Sequence, residues 1–146
     1  MTFGPIYIDH IGIATERLDD ASSFWKLLGL EQGQEDETVP EQGVTTRFFS
    51  TSDAPSTPDA HAPMVELLEP TDADTPIGKF LAKRGPGVQQ ICFSVGDLDG
   101  LILHLIENGV IMINAEPQLG AGGKRIAFVH PKSTGGVLVE LTERAH

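Results

Sequence analysis

Four polar residues interrupt apolar, strand-like runs, and they come in two matched pairs. His10 lies within Tyr7–Ala14 and Gln90 within Gln89–Val95; Glu66 lies within Met64–Glu69 and Glu140 within Val137–Thr142. The first pair opens one strand in each half of the chain, and the second pair sits in the last strand of each half. An ionised carboxylate on the inner face of a sheet is costly unless it is paired or bound to a metal. Two at corresponding positions are harder to dismiss than one. One imidazole, two carboxylates and one amide form a mixed nitrogen and oxygen donor set, suited to a divalent cation with open or water-filled positions. Cobalt, nickel, zinc, manganese and magnesium all fit, and the residue types do not choose among them. Each residue also has an ordinary reading: His10 as a core histidine, the glutamates as partners of Arg or Lys, Gln90 as a hydrogen-bonding amide.

An internal repeat is what would bring these residues together. Ile8–Ala14 is followed by Leu18-Asp19 and a helical run ending at Gly29-Leu30. Val88–Val95 is followed by Leu98-Asp99 and a helical run ending at Gly109-Val110. Repeats decide architecture before any local feature does. In the first helix Ala21, Phe24, Trp25 and Leu28 share one face, with Asp19 or Asp20 expected to cap its start and Gly29 to suit its end. The second helix, from about Asp99 to Asn108, buries Leu98, Leu101, Ile102 and Leu105. Strands are expected at Val44–Ser50 and Lys124–His130, a strand or turn at Val110–Asn114, a loop at Gly120–Gly123 and a turn at Pro131–Gly136. Residues 51–63 read as a proline-rich loop without periodicity. Thr75-Pro76 opens a short helix to Arg84 that turns Ile77, Phe80 and Leu81 inward, with Pro at the favoured first position.

Each half therefore reads β-α-β-β-β. The expected class is α+β: two tandem modules, about 5–70 and 86–143, bridged by a helix at about 76–84, forming a single domain over 1–146. Neither module can cover both faces of its own sheet, so the two sheets are expected to join around a shared cleft.

A chain of 146 residues can bury roughly 68–70% of its unfolded surface. The single cysteine, Cys92, excludes an internal disulfide and reads as an inert core thiol in a reducing compartment. No run approaches the roughly 18 apolar residues of a membrane span, and Met1–Pro5 lacks the features of a signal peptide, so a cytoplasmic location is expected. The net charge of −11 argues against a nucleic-acid partner. It also requires that an anionic substrate be held by a local group of cations.

The chain resembles the vicinal oxygen chelate superfamily and, within it, the methylmalonyl-CoA epimerases. Asp9-His10-Ile11-Gly12-Ile13-Ala14 carries the superfamily likeness. The epimerase likeness rests on Pro40-Glu41-Gln42-Gly43-Val44, Val65–Pro70, Pro76–Gly85, Gly120–Ser133 and Gly135–Leu141. The resemblance implies a divalent metal held by His10, Glu66, Gln90 and Glu140, an acyl-CoA substrate and a homodimer. It implies 1,1-proton transfer through an enolate, with Glu66 and Glu140 as the acid–base pair. Lys124, Arg125, Lys132 and Ser133 are then candidates for holding the substrate carboxylate or the coenzyme A phosphates; otherwise they belong to solvated turns. Two positions depart from the family pattern. Gln89-Gln90 stands where a His pair is usual, and Thr46 stands where some epimerases carry a further catalytic Glu. Two alternatives follow from the same fold: a glyoxalase-type lyase or isomerase for a smaller substrate, and a metal-free small-molecule binder.

Overall fold

The two halves join along their first strands. Tyr7–Ala14 (β1) pairs antiparallel with Gly87–Val95 (β6), and this seam makes one 9-stranded sheet of the two modules. The structure is a computed structural model and describes residues 3–51 and 61–144. Most of the proline-rich stretch expected as a loop lies outside the described residues.

In the first module, β1 leads to Leu18–Leu28 (α1), Glu31–Gln32 (β2), Glu37–Val39 (β3), Val44–Ser50 (β4) and Met64–Pro70 (β5). Pro76–Arg84 (α2) bridges to the second module. There β6 leads to Leu98–Glu107 (α3), Gln118–Leu119 (β7), Arg125–Val129 (β8) and Val139–Glu143 (β9). The strand order is β2-β4-β5-β1-β6-β9-β8-β7, with β3 also on β4. β5 runs parallel to β1, and β9 runs parallel to β6, so the seam is flanked by equivalent neighbours. The sheet curls around one cleft. No helix among the described residues is long and apolar enough to cross a membrane.

Alternation along the strands sorts the side chains. On β5, Val65 and Leu67 face α1, while Glu66 and Leu68 face the cleft. On β9, Leu141 packs under α3 with Val95, Leu98 and Ile102, while Glu140 and Thr142 line the cleft. α2 closes one end: Ile77 packs against Ala14, Val39, Val44 and Leu68. Burying each such aliphatic side chain contributes about 1.5–3 kcal/mol.

The helix ends follow local rules with one exception. Thr75 caps α2 by accepting from Gly78 N at 3.1 Å, and Asp97 caps α3 by accepting from Gly100 N at 3.0 Å. α1 has no side-chain cap: Arg17 holds the cap position, and Asp19 and Asp20 lie inside the first turn. There they favour the positive end of the helix dipole instead. Gly29 ends α1 at φ 111°, and the next amide, Leu30 N, reaches back to Trp25 O.

The outermost strand of each module is split. β2 and β3 pair separately with β4. The stretch expected at Val110–Asn114 is reduced to a bridge between Met112 and Val129, and β7 pairs with β8 further along.

Candidate metal centre and active cleft

Two rows of residues cross the seam and are related by the pseudo-twofold axis. In one, Cys92 pairs with His10 on one side and Glu140 on the other. In the other, Gly12 pairs with Gln90 and Glu66. The four residues singled out by sequence thus meet at the cleft floor. They are 6% (His10), 3% (Glu66), 6% (Gln90) and 7% (Glu140) exposed.

Two β-bulges aim this set. Pairing along the seam jumps from Ile8–Phe93 to His10–Cys92, which leaves Asp9 as an extra residue. It jumps again from Gly12–Gln90 to Ile13–Val88, which leaves Gln89 as an extra residue. A bulge re-aims side chains that strict alternation would send to opposite faces. Asp9 and His10 both line the cleft, as do Gln89 and Gln90. Sequence reasoning missed Asp9. The available signal was the adjacent polar pairs, Asp9-His10 and Gln89-Gln90, which break period-two patterning at corresponding places.

His10 is the hub. Its Nε2 lies 3.1 Å from Glu66 Oε1 and 3.1 Å from Glu140 Oε1. Its Nδ1 is 2.6 Å from Asp9 Oδ2. Gln90 Nε2 donates to Glu140 Oε1 at 2.9 Å. Phe48 meets the imidazole edge-on, with ring centroids 5.5 Å apart.

The electrostatics follow from this crowding. Burial opposes a charge on His10, but the hydrogen bond with Asp9 and the close approach of Cys92, Glu140 and Glu66 outweigh it and hold its pKa well above the ordinary value. Burial pushes the Glu66 carboxyl up; His10 opposes that rise, while the nearby Glu140 and Asp9 charges add to it. Asp9 is also desolvated, yet His10, Lys124 and His61 keep it below the usual range.

A divalent cation fits this donor set. His10 Nε2 and Glu66 Oε1 are buried and close, yet neither has a partner in hydrogen-bond geometry among the described residues. Nitrogen and oxygen donors placed in this way can share a cation. Asp9 on Nδ1 leaves Nε2 free to ligate, the usual arrangement behind a metal-bound imidazole. Asp9, His10 and Cys92 also bring ligand-type atoms within 4.8 Å of one another. That trio is the poorer site, because Asp9 is committed to Nδ1 and burial, then the Glu140 charge, push the Cys92 thiol up and away from thiolate.

The cleft above this floor has a volume of about 470 Å³, with walls that include Val39, Leu68, Ile113 and Phe128. Of the four residues expected to hold substrate anions, Lys124 lines it. Arg125, Lys132 and Ser133 do not. Arg125 neighbours Lys124 in sequence and therefore faces the other way. It binds Glu143 at 2.8 Å and Asp99 at 2.9 Å on the outside of β8. Lys132 and Ser133 belong to a 3₁₀ turn where Ser133 Oγ accepts from Ile111 N at 2.9 Å. Thr46 is buried and lines the cleft, where a hydroxyl cannot replace a carboxylate base.

Residues 9–128 match the profile of the Glyoxalase/Bleomycin resistance protein/Dioxygenase superfamily, and the chain belongs to that superfamily. Its relatives narrow the likeness. It is 33% identical to the mitochondrial methylmalonyl-CoA epimerase of Bos taurus, across 96% of this chain and 78% of that protein. It is 34% identical to an ethylmalonyl-CoA/methylmalonyl-CoA epimerase of Cereibacter sphaeroides, across 93% of this chain and 96% of the relative. A solved variant of the Streptomyces coelicolor methylmalonyl-CoA epimerase, in complex with 2-nitronate-propionyl-CoA, is 41% identical. It superposes with a TM-score of 0.86, covering 95% of this chain and 94% of that one.

Proposed function

We propose that this chain is a metal-dependent epimerase of methylmalonyl-CoA or a close acyl-CoA relative. The observation that carries the reading is His10 Nε2 standing 3.1 Å from each of two buried glutamates from opposite modules, at the floor of a largely apolar cleft. The relatives' substrates supply the chemical class.

His10, Glu66 and Glu140 would hold the divalent ion, and Gln90 would join them through Oε1, since its amide nitrogen already donates to Glu140. When bound, such an ion draws electron density from the thioester carbonyl and so acidifies the α-hydrogen. The chain's own residues then move the proton. Glu66 and Glu140 come from equivalent positions of the two modules, so each would face one side of the reacting carbon. One carboxylate takes the α-proton, forming an O–H bond as the C–H bond breaks and leaving an enolate. The other, protonated at the start, returns its proton to the opposite face. Burial raises the Glu66 pKa above the ordinary carboxyl value, the direction that favours holding a proton. The apolar walls would limit water at the enolate once substrate fills the cleft. Lys124 is the cation in the lining that can meet the substrate carboxylate.

The test is turnover of a single enantiomer of methylmalonyl-CoA by the metal-loaded protein. Racemisation is the expected result. Turnover of the glutathione hemithioacetal instead would make the protein a lyase or isomerase of smaller substrates.

A further inference from the structure

We propose that His61 is a positioning residue of the metal centre, acting on His10 through Asp9. The proposal rests on the metal reading above and adds a residue from outside the cleft lining.

Asp9 is the extra residue of a bulge, so the strand pairing that fixes its neighbours does not fix its side chain. Contacts must hold it instead. Its two carboxylate oxygens are divided between two rings: Oδ2 takes His10 Nδ1 at 2.6 Å, and Oδ1 takes His61 Nε2 at 3.0 Å. His61 is held at its far end as well, with Nδ1 2.7 Å from Ala62 O. Both ring nitrogens of His61 thus face oxygens that can only accept, so the ring is clamped between backbone and carboxylate. Ala62-Pro63 leads directly into β5, the strand that carries Glu66. His61 therefore ties the orienting carboxylate of one metal ligand to the strand of another.

Among the described residues the second module has no such brace. Gln89 holds the place of Asp9, and its Oε1 is buried without a partner among the described residues. His10 is thereby braced from behind by a carboxylate, whereas Gln90 is held by its own hydrogen bond to Glu140. A carboxylate behind a metal-bound imidazole fixes both its tautomer and its orientation, and loss of such a partner weakens metal binding about 10–100-fold. Releasing Asp9 by removing His61 is expected to fall at the lower end of that range.

The experiment is titration of Co²⁺ into the metal-free full chain, followed by the cobalt visible absorption. It compares wild type, His61→Ala, His61→Gln, Asp9→Asn and the Asp9→Asn/His61→Ala double variant, with metal-free melting temperatures alongside. His61→Ala is expected to raise the Co²⁺ Kd about 10-fold, and His61→Gln, which keeps an N–H donor, to recover most of it. In the Asp9→Asn background the His61 change is expected to add little, because the two act through one contact. If His61→Ala melts early, His61→Leu replaces it and must show the same loss. Wild-type affinity in the folded His61 variants, or an equal loss with Asp9 already changed, overturns the proposal while leaving the metal reading intact. A wild-type chain that takes up no Co²⁺ overturns both.

Discussion

Gly12 and Cys92 occupy equivalent places in the sheet beneath the cleft, Gly12 between Glu66 and Gln90, Cys92 between Glu140 and His10. The two are not interchangeable. A Cβ at Gly12 would lie 2.6 Å from Gln90 Cγ and 3.1 Å from Leu68 Cδ1. Gln90 reaches its position because Gly12 has no side chain.

Gly12→Ala is therefore expected to push Gln90 aside and to destabilise the fold by about 1–3 kcal/mol, the usual cost of overpacking. Denaturant melts and Co²⁺ titration report the two effects separately. Unchanged metal affinity in Gly12→Ala would mean that Gln90 is not a ligand.

Gln90→His is expected to tighten metal binding. An imidazole is a stronger donor than an amide oxygen, and the substitution gives the second module the residue that His10 supplies to the first. Competition with a chelator of known affinity measures it. An unchanged Kd would leave three protein ligands and open positions at the centre.

Glu66→Gln and Glu140→Gln are each expected to abolish inversion while allowing one-sided exchange of the α-proton with solvent deuterium. The surviving carboxylate still reaches its own face, so the two variants are expected to exchange opposite enantiomers. Mass spectrometry of each enantiomer in D₂O, with metal content measured alongside, reads the outcome. Normal inversion by Glu66→Gln would make Glu66 a ligand only and place the second acid elsewhere.

Metal uptake is expected to release protons. Its carboxylate and thiol neighbours hold the His10 pKa above its ordinary value of about 6.5, so the metal-free protein carries a charged imidazole near neutrality, and a ligand must be neutral. Calorimetric titration in two buffers of different ionisation enthalpy gives the number released; buffer-independent heats would contradict this. The sign for stability follows. A pKa raised by folding contributes stability that is full below about 6.5 and is lost as pH rises through the folded value. The metal-free protein is therefore expected to lose stability from near neutrality upward, and the His10→Gln variant to lack that dependence.

The repeat made most of this architecture legible before any coordinates. His10, Glu66, Gln90 and Glu140 converge because alternation and register are properties of the pattern. What stayed hidden has physical reasons. Asp9 joins the site through a bulge, which is a violation of the alternation used to read strands. Arg125 shares a glycine-rich approach with Lys124, and only the start of β8 decides which of the two faces the cleft. His61 sits at the end of a polar, proline-rich stretch, and its role depends on a contact with Asp9, 52 positions away in sequence. The Val110–Asn114 stretch has the composition of a strand but keeps a single bridge, because β7 takes up part of the β8 edge.

Stepwise return of metal to a fully chelated sample, with inversion of one methylmalonyl-CoA enantiomer assayed at each step, tests the central claim most directly. Inversion is expected to be absent after chelation, to return in proportion to added Co²⁺ and to saturate at one equivalent per chain, with no recovery in Glu140→Gln. Full-rate inversion by the stripped protein would contradict it.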